Sequence, residues 1–446
     1  MKFDKTLSTL VKHLKTQPMK TFINFFFAFF TLLSIAQTSS LQKSPILTEG
    51  NAKDVGMSAE RLSKIDAMIS AEVTNGNIPG AVALIARNGK IVFYNAYGMA
   101  DNEANIPMNK DAVFRIASQT KAITSTAVMM LWEEGQFQLD DNISKYIPEF
   151  GEAQILDTFN ETDGTYTTKP AENQITIRDL LTHTSGIGYG VIDGDERFKK
   201  IYAKAGITDL FTTEKITIVE SVKKLAKLPL HHEPGEAFTY SEGLDVLGYF
   251  IEVISGVPFD EFLRTRIFEP LNMQDTWFYQ PKENYNRLVA VQKKENEKWV
   301  KYPITFYDTD YPIKGAKTFF SGGAGLSSTA KDYATFLQMY LNEGELNGVR
   351  LLSRTTVRSI LGNQIGAIWD GPKNHGLAFS LVNEKGEIAG GLGSNGTFEW
   401  GGYFNTQYFA DPKEEIIGIL MKQTQGPVDD NTSWKFKQML FSSIDD

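Results

Sequence analysis

Strand patterns lie at both ends of this chain while helical patterns fill its middle, and this distribution restricts the possible folds more than any other feature. The segment Gly80 to Gly98, GAVALIARNGKIVFYNAYG, contains two apolar strands joined by Asn88-Gly89, a dipeptide typical of tight hairpins. Strands return in GLAFSLVNEKGEIAGG and GYFNTQYFADPKEEIIGILMKQ, with turns predicted at Lys385-Gly386 and Asp411-Pro412. We therefore predict an antiparallel sheet built from both ends of the chain and flanked by helices.

Helical patterns complete the picture. Ser58 precedes apolar residues at helical spacing and predicts a capped first helix, STAKDYATFLQMYLNEG predicts a second capped helix, and a final helix is expected around Thr432 to Leu440. Between them, amphipathic helices such as ESVKKLAKLPL and EGLDVLGYFIEVISG alternate with long loops. We predict an α/β (α+β) domain over 56–442, with its sheet from about 56–110 and 325–442 and a mostly helical subdomain at about 118–320.

The beginning of the chain has the features of an export signal. Lys20 precedes an apolar run from Phe22 to Ile35, and Ser34-Ile35-Ala36 suits cleavage after Ala36. We predict a signal peptide over 1–36, with Met19 as an alternative start, and a linker over 37–55. The apolar run is short for a membrane span, so we expect an exported, periplasmic or secreted bacterial protein without a stable span.

Charge and cysteine content exclude several classes of function. The net charge of −9 becomes about −13 without residues 1–36, which carry five lysines and one aspartate. Nucleic acid is therefore not an expected partner, because phosphate binding needs a basic face. The chain has no cysteine, which excludes disulfides, thiolate metal sites and a cysteine nucleophile.

One lysine lies in an otherwise uncharged apolar helix. In FRIASQTKAITSTAVMML, Ser118 and Lys121 are three residues apart, so in a helix their side chains share one face. A serine attacks a carbonyl only when a neighbouring base takes its proton, and a lysine does so only where burial disfavours its charged form. The alternative is that Ser118 caps the helix and Lys121 faces solvent, since S-x-x-K is common by chance.

Longer motifs strengthen the catalytic interpretation. FRIASQTK, LDDNISKYIPEF and ITIRDLLTHTSGIGYG together resemble the serine β-lactamase and penicillin-binding-protein superfamily, and more closely its β-lactamase-like (family VIII) carboxylesterases. The resemblance covers nearly all of the chain after about residue 55. It implies a β-lactamase/transpeptidase-like fold, with Ser118 as nucleophile and Lys121 as its base.

The resemblance also assigns a tyrosine. In HEPGEAFTYSEGLDVLGYFIEVISG, Tyr240 follows Pro234-Gly235, and the family's tyrosine passes a proton to the leaving group. The alternative is that Tyr240 is an ordinary aromatic residue of the core or of its rim. Glu242 stands where β-lactamases have the asparagine of Tyr-x-Asn. A carboxylate cannot donate a hydrogen bond to an amide carbonyl, so recognition of penicillin-like side chains is weakened at this predicted substrate-binding position.

A third motif lies in GTFEWGGYFNTQYFADP. Trp400-Gly401-Gly402 occupies the place of the family's Lys-Thr-Gly or His-Thr-Gly, whose cation holds a substrate carboxylate. An indole suits an uncharged group better, and paired glycines allow a ligand to approach the backbone. These three residues are predicted to bind substrate. The alternative is that Trp400 is an aromatic residue of the sheet and that the two glycines form a β-bulge. The resemblance implies that the N–H groups of Ser118 and Tyr403 form the oxyanion hole.

Other polar clusters are weaker candidates. His183 could complete a Ser-His-Asp triad with Ser118, but no G-x-S-x-G elbow is present. His231-His232-Glu233 could ligate a metal, yet adjacent histidines on an extended segment point apart. We therefore expect neither a metal nor an organic cofactor.

The residues and the resemblance together predict a serine hydrolase that cleaves small-molecule carboxylic esters through an acyl-serine with a Ser-Lys-Tyr centre. The alternatives are a penicillin-binding protein, β-lactamase or D-amino-acid-specific peptidase, and, from another class, a non-catalytic binder of cell-wall or acyl ligands. Insertions at 154–174 and 190–214 are expected to shape specificity. The oligomeric state is not predicted.

Overall fold

The computed structural model describes residues 39–208, 210–426 and 430–446, and Ser40–Asp446 forms one compact unit. The predicted signal peptide, residues 1–36, lies outside the described residues. The strands of the described part are β1 Thr48–Glu49, β2 Gly80–Arg87, β3 Lys90–Asp101, β4 Ile106–Pro107, β5 Phe114–Arg115, β6 Gln154–Phe159, β7 Tyr166–Pro170, β8 Gln292–Glu295, β9 Lys298–Lys301, β10 Ser327–Ser328, β11 Glu345–Leu346, β12 Val349–Arg350, β13 Lys373–His375, β14 Ser380–Val382, β15 Phe398–Gly402, β16 Thr406–Asp411 and β17 Ile416–Met421.

The α-helices of the same residues are α1 Ala59–Thr74, α2 Thr120–Glu133, α3 Ile177–Thr182, α4 Glu196–Ala205, α5 Ile218–Leu225, α6 Gly243–Ser255, α7 Phe259–Leu263, α8 Glu269–Leu271, α9 Tyr311–Lys314, α10 Ala330–Leu341, α11 Arg354–Ile360, α12 Glu384–Ala389 and α13 Thr432–Phe441. Among these described helices, none combines the length and apolarity that crossing a bilayer requires.

The main sheet is built from both ends of the chain, as predicted. Its order is β1-β3-β2-β17-β16-β15-β14-β13, with β4 on β3, and apart from the parallel β1–β3 pair its strands are antiparallel. The β2–β3 hairpin turns at Asn88-Gly89, where both residues have positive φ, as a tight hairpin turn requires. The two halves of the chain meet where β2 pairs with β17.

Both faces of the sheet are buried, because β2 and β17 alternate their side chains between two cores. Val82 and Leu84 belong to the large core, whereas Ala83 and Ile85 belong to a smaller core beneath α1 and α13. The predicted cap of α1 is confirmed, since the Ser58 side chain accepts a hydrogen bond from the Arg61 N–H.

One local prediction differs from the structure, and one insertion has a structure that was not predicted. The turn expected at Lys385-Gly386 is helix α12, which begins because the Asn383 side chain accepts a hydrogen bond from the Gly386 N–H. The 154–174 insertion, whose conformation was not predicted, contains the β6–β7 hairpin, in which every residue of β7 is exposed. An exposed hairpin lacks the apolar alternation by which strands are recognised.

Candidate active site

Lys121 is buried at the start of α2, and its side-chain nitrogen is surrounded by oxygen atoms. Its side chain is 4% exposed. Nζ donates to the Tyr189 hydroxyl at 2.8 Å, to the Gly323 carbonyl at 2.8 Å and to Oγ of Ser118 at 3.3 Å. The alternative in which Lys121 faces solvent is therefore wrong, and the lysine and serine are in direct contact.

Tyr240 lies on the other side of the same serine. Its hydroxyl donates to Oγ of Ser118 at 2.7 Å, and Nζ of Lys121 lies 4.7 Å from the centre of the Tyr240 ring. Ser118 thus has two proton-carrying groups within hydrogen-bond reach. The structure brings together the three residues that the sequence motifs singled out as catalytic.

The backbone before Ser118 is strained. Ala117 has φ 43°, a left-handed conformation that residues with a side chain rarely adopt, and a short 3-10 turn over Ala117–Gln119 leads from it into α2. Strain of this kind concentrates at functional sites, where the surrounding structure holds it. Here it places the Ser118 side chain at the N-terminal end of the helix and beside Lys121.

Strand β15 ends next to this turn. A Cβ built on Gly402 would lie 2.5 Å from the Ile116 carbonyl oxygen, so only glycine allows the strand to come this close. The predicted oxyanion donors, the N–H groups of Ser118 and Tyr403, are therefore on adjoining backbone segments. Upstream in the same strand, Glu399 forms ion pairs with Lys373 of β13 and Lys437 of α13.

The tyrosine is enclosed by aromatic rings that include a predicted binding residue. The Trp400 ring centroid lies 5.9 Å from that of Tyr240, and those of Tyr189 and His183 lie at 5.3 Å and 4.8 Å. Glu242 is only 1% exposed and begins α6 just after Tyr240. A substrate contact by Glu242 stays a prediction.

Two residues of the cluster were missed by sequence reasoning. Tyr189 binds Lys121 directly, and Asp245 accepts hydrogen bonds from Oγ of Ser321 at 2.8 Å and the Gly323 N–H at 2.7 Å. Asp245 thereby fixes the loop whose Gly323 carbonyl contacts Lys121. The only signals were the GIGYG turn around Tyr189 and an acidic residue in the apolar stretch of α6.

His183 does not form the alternative triad. It ends α3 in a left-handed conformation with φ 59°, and its Nδ1 lies 2.9 Å from Oγ of Ser241. Burial, with His375 and Lys121 nearby, holds the pKa of His183 well below its usual range, so the ring is neutral. His183 packs behind Tyr240, and the partners of Ser118 are Tyr240 and Lys121.

The pair His231-His232 also has other partners than a metal. Nε2 of His231 lies 3.1 Å from Asp193, and the ring stacks on Phe198. His232 lies 2.9 Å from Oγ1 of Thr239 through its own Nε2. The two imidazoles therefore face different parts of the structure, in agreement with their adjacent positions in the sequence.

Comparison with known proteins places the chain in a family. Residues 65–439 match the Beta-lactamase family. An uncharacterized protein of Mycobacterium tuberculosis is 33% identical over 365 residues, covering 78% of this chain and 86% of that protein. Esterase EstB of Burkholderia gladioli is 31% identical over 384 residues, covering 82% of this chain and 91% of EstB.

A solved structure of an enzyme with the same fold is similar to this chain. EstCE1, a hydrolase with promiscuous acyltransferase activity, matches with a TM-score of 0.72 and 25% identity, covering 87% of this chain and 99% of that chain. The predicted β-lactamase/transpeptidase-like fold and the resemblance to esterases of this superfamily are confirmed. The chain belongs to the Beta-lactamase family and is a serine hydrolase similar to the esterases within it.

Proposed function

We propose that this hydrolase cleaves carboxylic esters through an acyl-serine intermediate formed on Ser118. The observation that carries the proposal is the convergence of Lys121 and Tyr240 on Oγ of Ser118, at 3.3 Å and 2.7 Å. A nucleophile within reach of a base and a second proton carrier is the arrangement that acyl transfer requires.

The proposed reaction has two halves. Lys121, as the free amine, takes the Ser118 proton while Oγ attacks the ester carbonyl carbon, and the N–H groups of Ser118 and Tyr403 bind the resulting oxyanion. When the C–O bond breaks, Tyr240 gives its proton to the departing alcohol and regains one from Lys121. Lys121 then takes a proton from the water that attacks the acyl carbon. The bond between that carbon and Oγ of Ser118 breaks, the carboxylic acid leaves, and Oγ receives the proton.

Specificity for esters is supported by Trp400-Gly401-Gly402, which replaces the Lys-Thr-Gly motif of β-lactamases. Trp400 offers an apolar face beside Tyr240, where a cation would hold an anionic substrate. The relatives EstB and EstCE1 are an esterase and a hydrolase. We also propose that the protein is exported to the periplasm or the medium. The domain is proposed to span residues 56–442.

The direct test is hydrolysis of p-nitrophenyl butyrate by the wild type and two variants. Ser118→Ala should lose at least about 10³-fold in kcat, because the nucleophile is gone. Ser125→Ala removes a buried serine of the adjoining helix α2 and should keep wild-type turnover. Unchanged turnover in Ser118→Ala contradicts the mechanism, and rapid nitrocefin hydrolysis together with slow ester hydrolysis favours the β-lactam alternative.

A further inference from the structure

Lys121 needs a fixed orientation to act as the proposed base. The free amine of a lysine carries two N–H donors and one lone pair, and only the lone pair takes up a proton. In the proposed attack this lone pair must point at the Ser118 hydroxyl. The amine stands at the end of a flexible four-carbon stem, so it rotates unless its N–H groups are held. The partners of these N–H groups therefore decide whether the base faces the nucleophile.

Three oxygen atoms surround Nζ of Lys121, and they are not equivalent. The Gly323 carbonyl and the Tyr189 hydroxyl both lie at 2.8 Å from Nζ, whereas Oγ of Ser118 lies at 3.3 Å. A carbonyl oxygen only accepts hydrogen bonds, and a phenol oxygen can accept one. The two shorter contacts thus match the two N–H groups of the free amine. Because Oγ of Ser118 accepts a hydrogen bond from Tyr240, its own hydrogen is left for the lone pair.

Tyr189 has little freedom to move. The residue is fully buried, and its ring centroid lies 5.3 Å from that of Tyr240. Its backbone N–H donates to a carboxylate oxygen of Asp193 at 2.7 Å, and Nε2 of His231 lies 3.1 Å from the same oxygen. Both the ring and the backbone of Tyr189 are therefore held, and its hydroxyl has a defined position beside the lysine.

The other N–H acceptor is held by a different part of the chain. Asp245 accepts hydrogen bonds from the Gly323 N–H and the Ser321 hydroxyl, which fixes the loop that carries the Gly323 carbonyl. The amine thus lies between an acceptor from the segment before α4 and an acceptor from the segment before β10. With one acceptor alone, the amine would turn about the remaining hydrogen bond.

We propose that Tyr189 is a positioning residue whose hydroxyl accepts one N–H of the free Lys121 amine. Together with the Gly323 carbonyl, it leaves the lone pair pointing at Ser118. Because Tyr189 is fully buried, it has no surface for a substrate and acts only through Lys121. It gives up no proton during the reaction. This inference rests on the proposed esterase function and adds a residue to it.

Tyr189→Phe tests the proposal, because it keeps the ring and removes only the hydroxyl. With one N–H no longer held, we expect kcat for p-nitrophenyl butyrate to fall about 10- to 100-fold per folded molecule, while KM changes less than about twofold. The matched control is Tyr307→Phe. Tyr307 lies in the same buried aromatic cluster, and within the described residues its hydroxyl has no hydrogen-bond partner. This control should keep the wild-type kcat, and urea unfolding of both variants gives their folded fractions.

A double-mutant cycle separates the positioning of Lys121 from a general loss of structure. Tyr189→Phe and Asp245→Ala disturb the two acceptors of one amine. The combined variant should therefore lose clearly less kcat than the product of the two single losses. A loss equal to that product would show that the two residues act independently, and it would overturn the proposal.

The kinetics of Tyr189→Phe can overturn the proposal in three further ways. An unchanged kcat would show that Lys121 faces Ser118 without this hydroxyl. A raised kcat would show that the hydroxyl donates to the lone pair and competes with Ser118, and a raised KM with unchanged kcat would place the effect on substrate binding. All three results leave the esterase function intact as long as turnover depends on Ser118. Absence of Ser118-dependent ester turnover in the wild type would overturn the function and this inference together.

Discussion

The Tyr240 hydroxyl lies 2.7 Å from Oγ of Ser118, although 122 positions separate the two residues in the chain. Lys121 reaches the same oxygen from within the helix that follows Ser118. The long-range contact is made by the segment that precedes α6, and the short-range contact by the 3-10 turn that leads from Ser118 into α2. The Ser118 hydroxyl therefore has two proton carriers, one near in the sequence and one distant.

Removing the Tyr240 hydroxyl tests its role as proton donor. Tyr240→Phe keeps the ring contacts with His183 and Trp400 but loses the bond to Ser118, and we expect kcat for p-nitrophenyl butyrate to fall about 10²- to 10⁴-fold. Tyr249→Phe, at a partly buried tyrosine of the following helix α6, is the matched control and should retain activity. Similar activity in Tyr240→Phe and the wild type would remove the tyrosine from the mechanism.

Adjacent glycines of β15 give a second test. In Gly402→Ala, the new Cβ meets the Ile116 carbonyl oxygen at 2.5 Å, so the strand must move away from the turn that carries Ser118. The proposed oxyanion donors then separate, and we expect kcat to fall at least about 10²-fold. Gly401→Ala, whose Cβ has its nearest contact at 3.3 Å, should have a clearly smaller effect. Equal kinetic effects of the two substitutions would contradict this geometry.

Asp245 is expected to act as a positioning residue. Asp245→Ala leaves the Gly323 N–H and the Ser321 hydroxyl without their acceptor, so the carbonyl that contacts Lys121 is no longer fixed. We expect kcat to fall about tenfold or more with little change in KM. Asp245→Asn keeps one acceptor oxygen and should recover most of the activity. A purely structural role predicts loss of stability in both variants and an unchanged kcat per folded molecule.

Buried histidines make the fold sensitive to acid. Burial lowers the pKa of His375 to about 4, against about 6.5 in an unfolded chain. Between these values the unfolded state binds more protons, so the stability present above pH 6.5 is lost as the pH falls toward 4. The loss amounts to about 3 kcal/mol for His375, and His183, whose pKa is also lowered, acts in the same direction.

Urea unfolding at pH 7 and pH 4.5 measures this effect. His375→Phe carries a ring that cannot be protonated, so its free energy of unfolding should fall by about 2–3 kcal/mol less than that of the wild type between the two values. An identical decrease in both proteins would show that His375 is not the group responsible.

Much of the architecture was predictable because hairpin and capping signals are local. Asn88-Gly89 and Ser58 behave as their sequence context indicates. The β6–β7 hairpin and α12 were missed, because the first is exposed and the second is a short helix that depends on one asparagine cap. Neither carries a clear apolar period.

In the candidate site, too, the residues with local sequence signals were predictable and those with long-range contacts were not. Ser118 and Lys121 follow from spacing within one helix, whereas Tyr240 depended on its Pro-Gly context and family resemblance. Tyr189 and Asp245 could not be found in this way, since their contacts to Lys121 and Gly323 join segments far apart in the chain. Only the assembled fold brings these groups to the buried side-chain nitrogen of Lys121.

The central claim is that Ser118 carries the acyl group during turnover. Mass spectrometry of the protein quenched during hydrolysis of p-nitrophenyl butyrate, followed by peptide mapping, tests it most directly. We expect a butyryl adduct on Ser118 that disappears as substrate is exhausted. An adduct on a different residue, or full turnover in Ser118→Ala, would contradict the account.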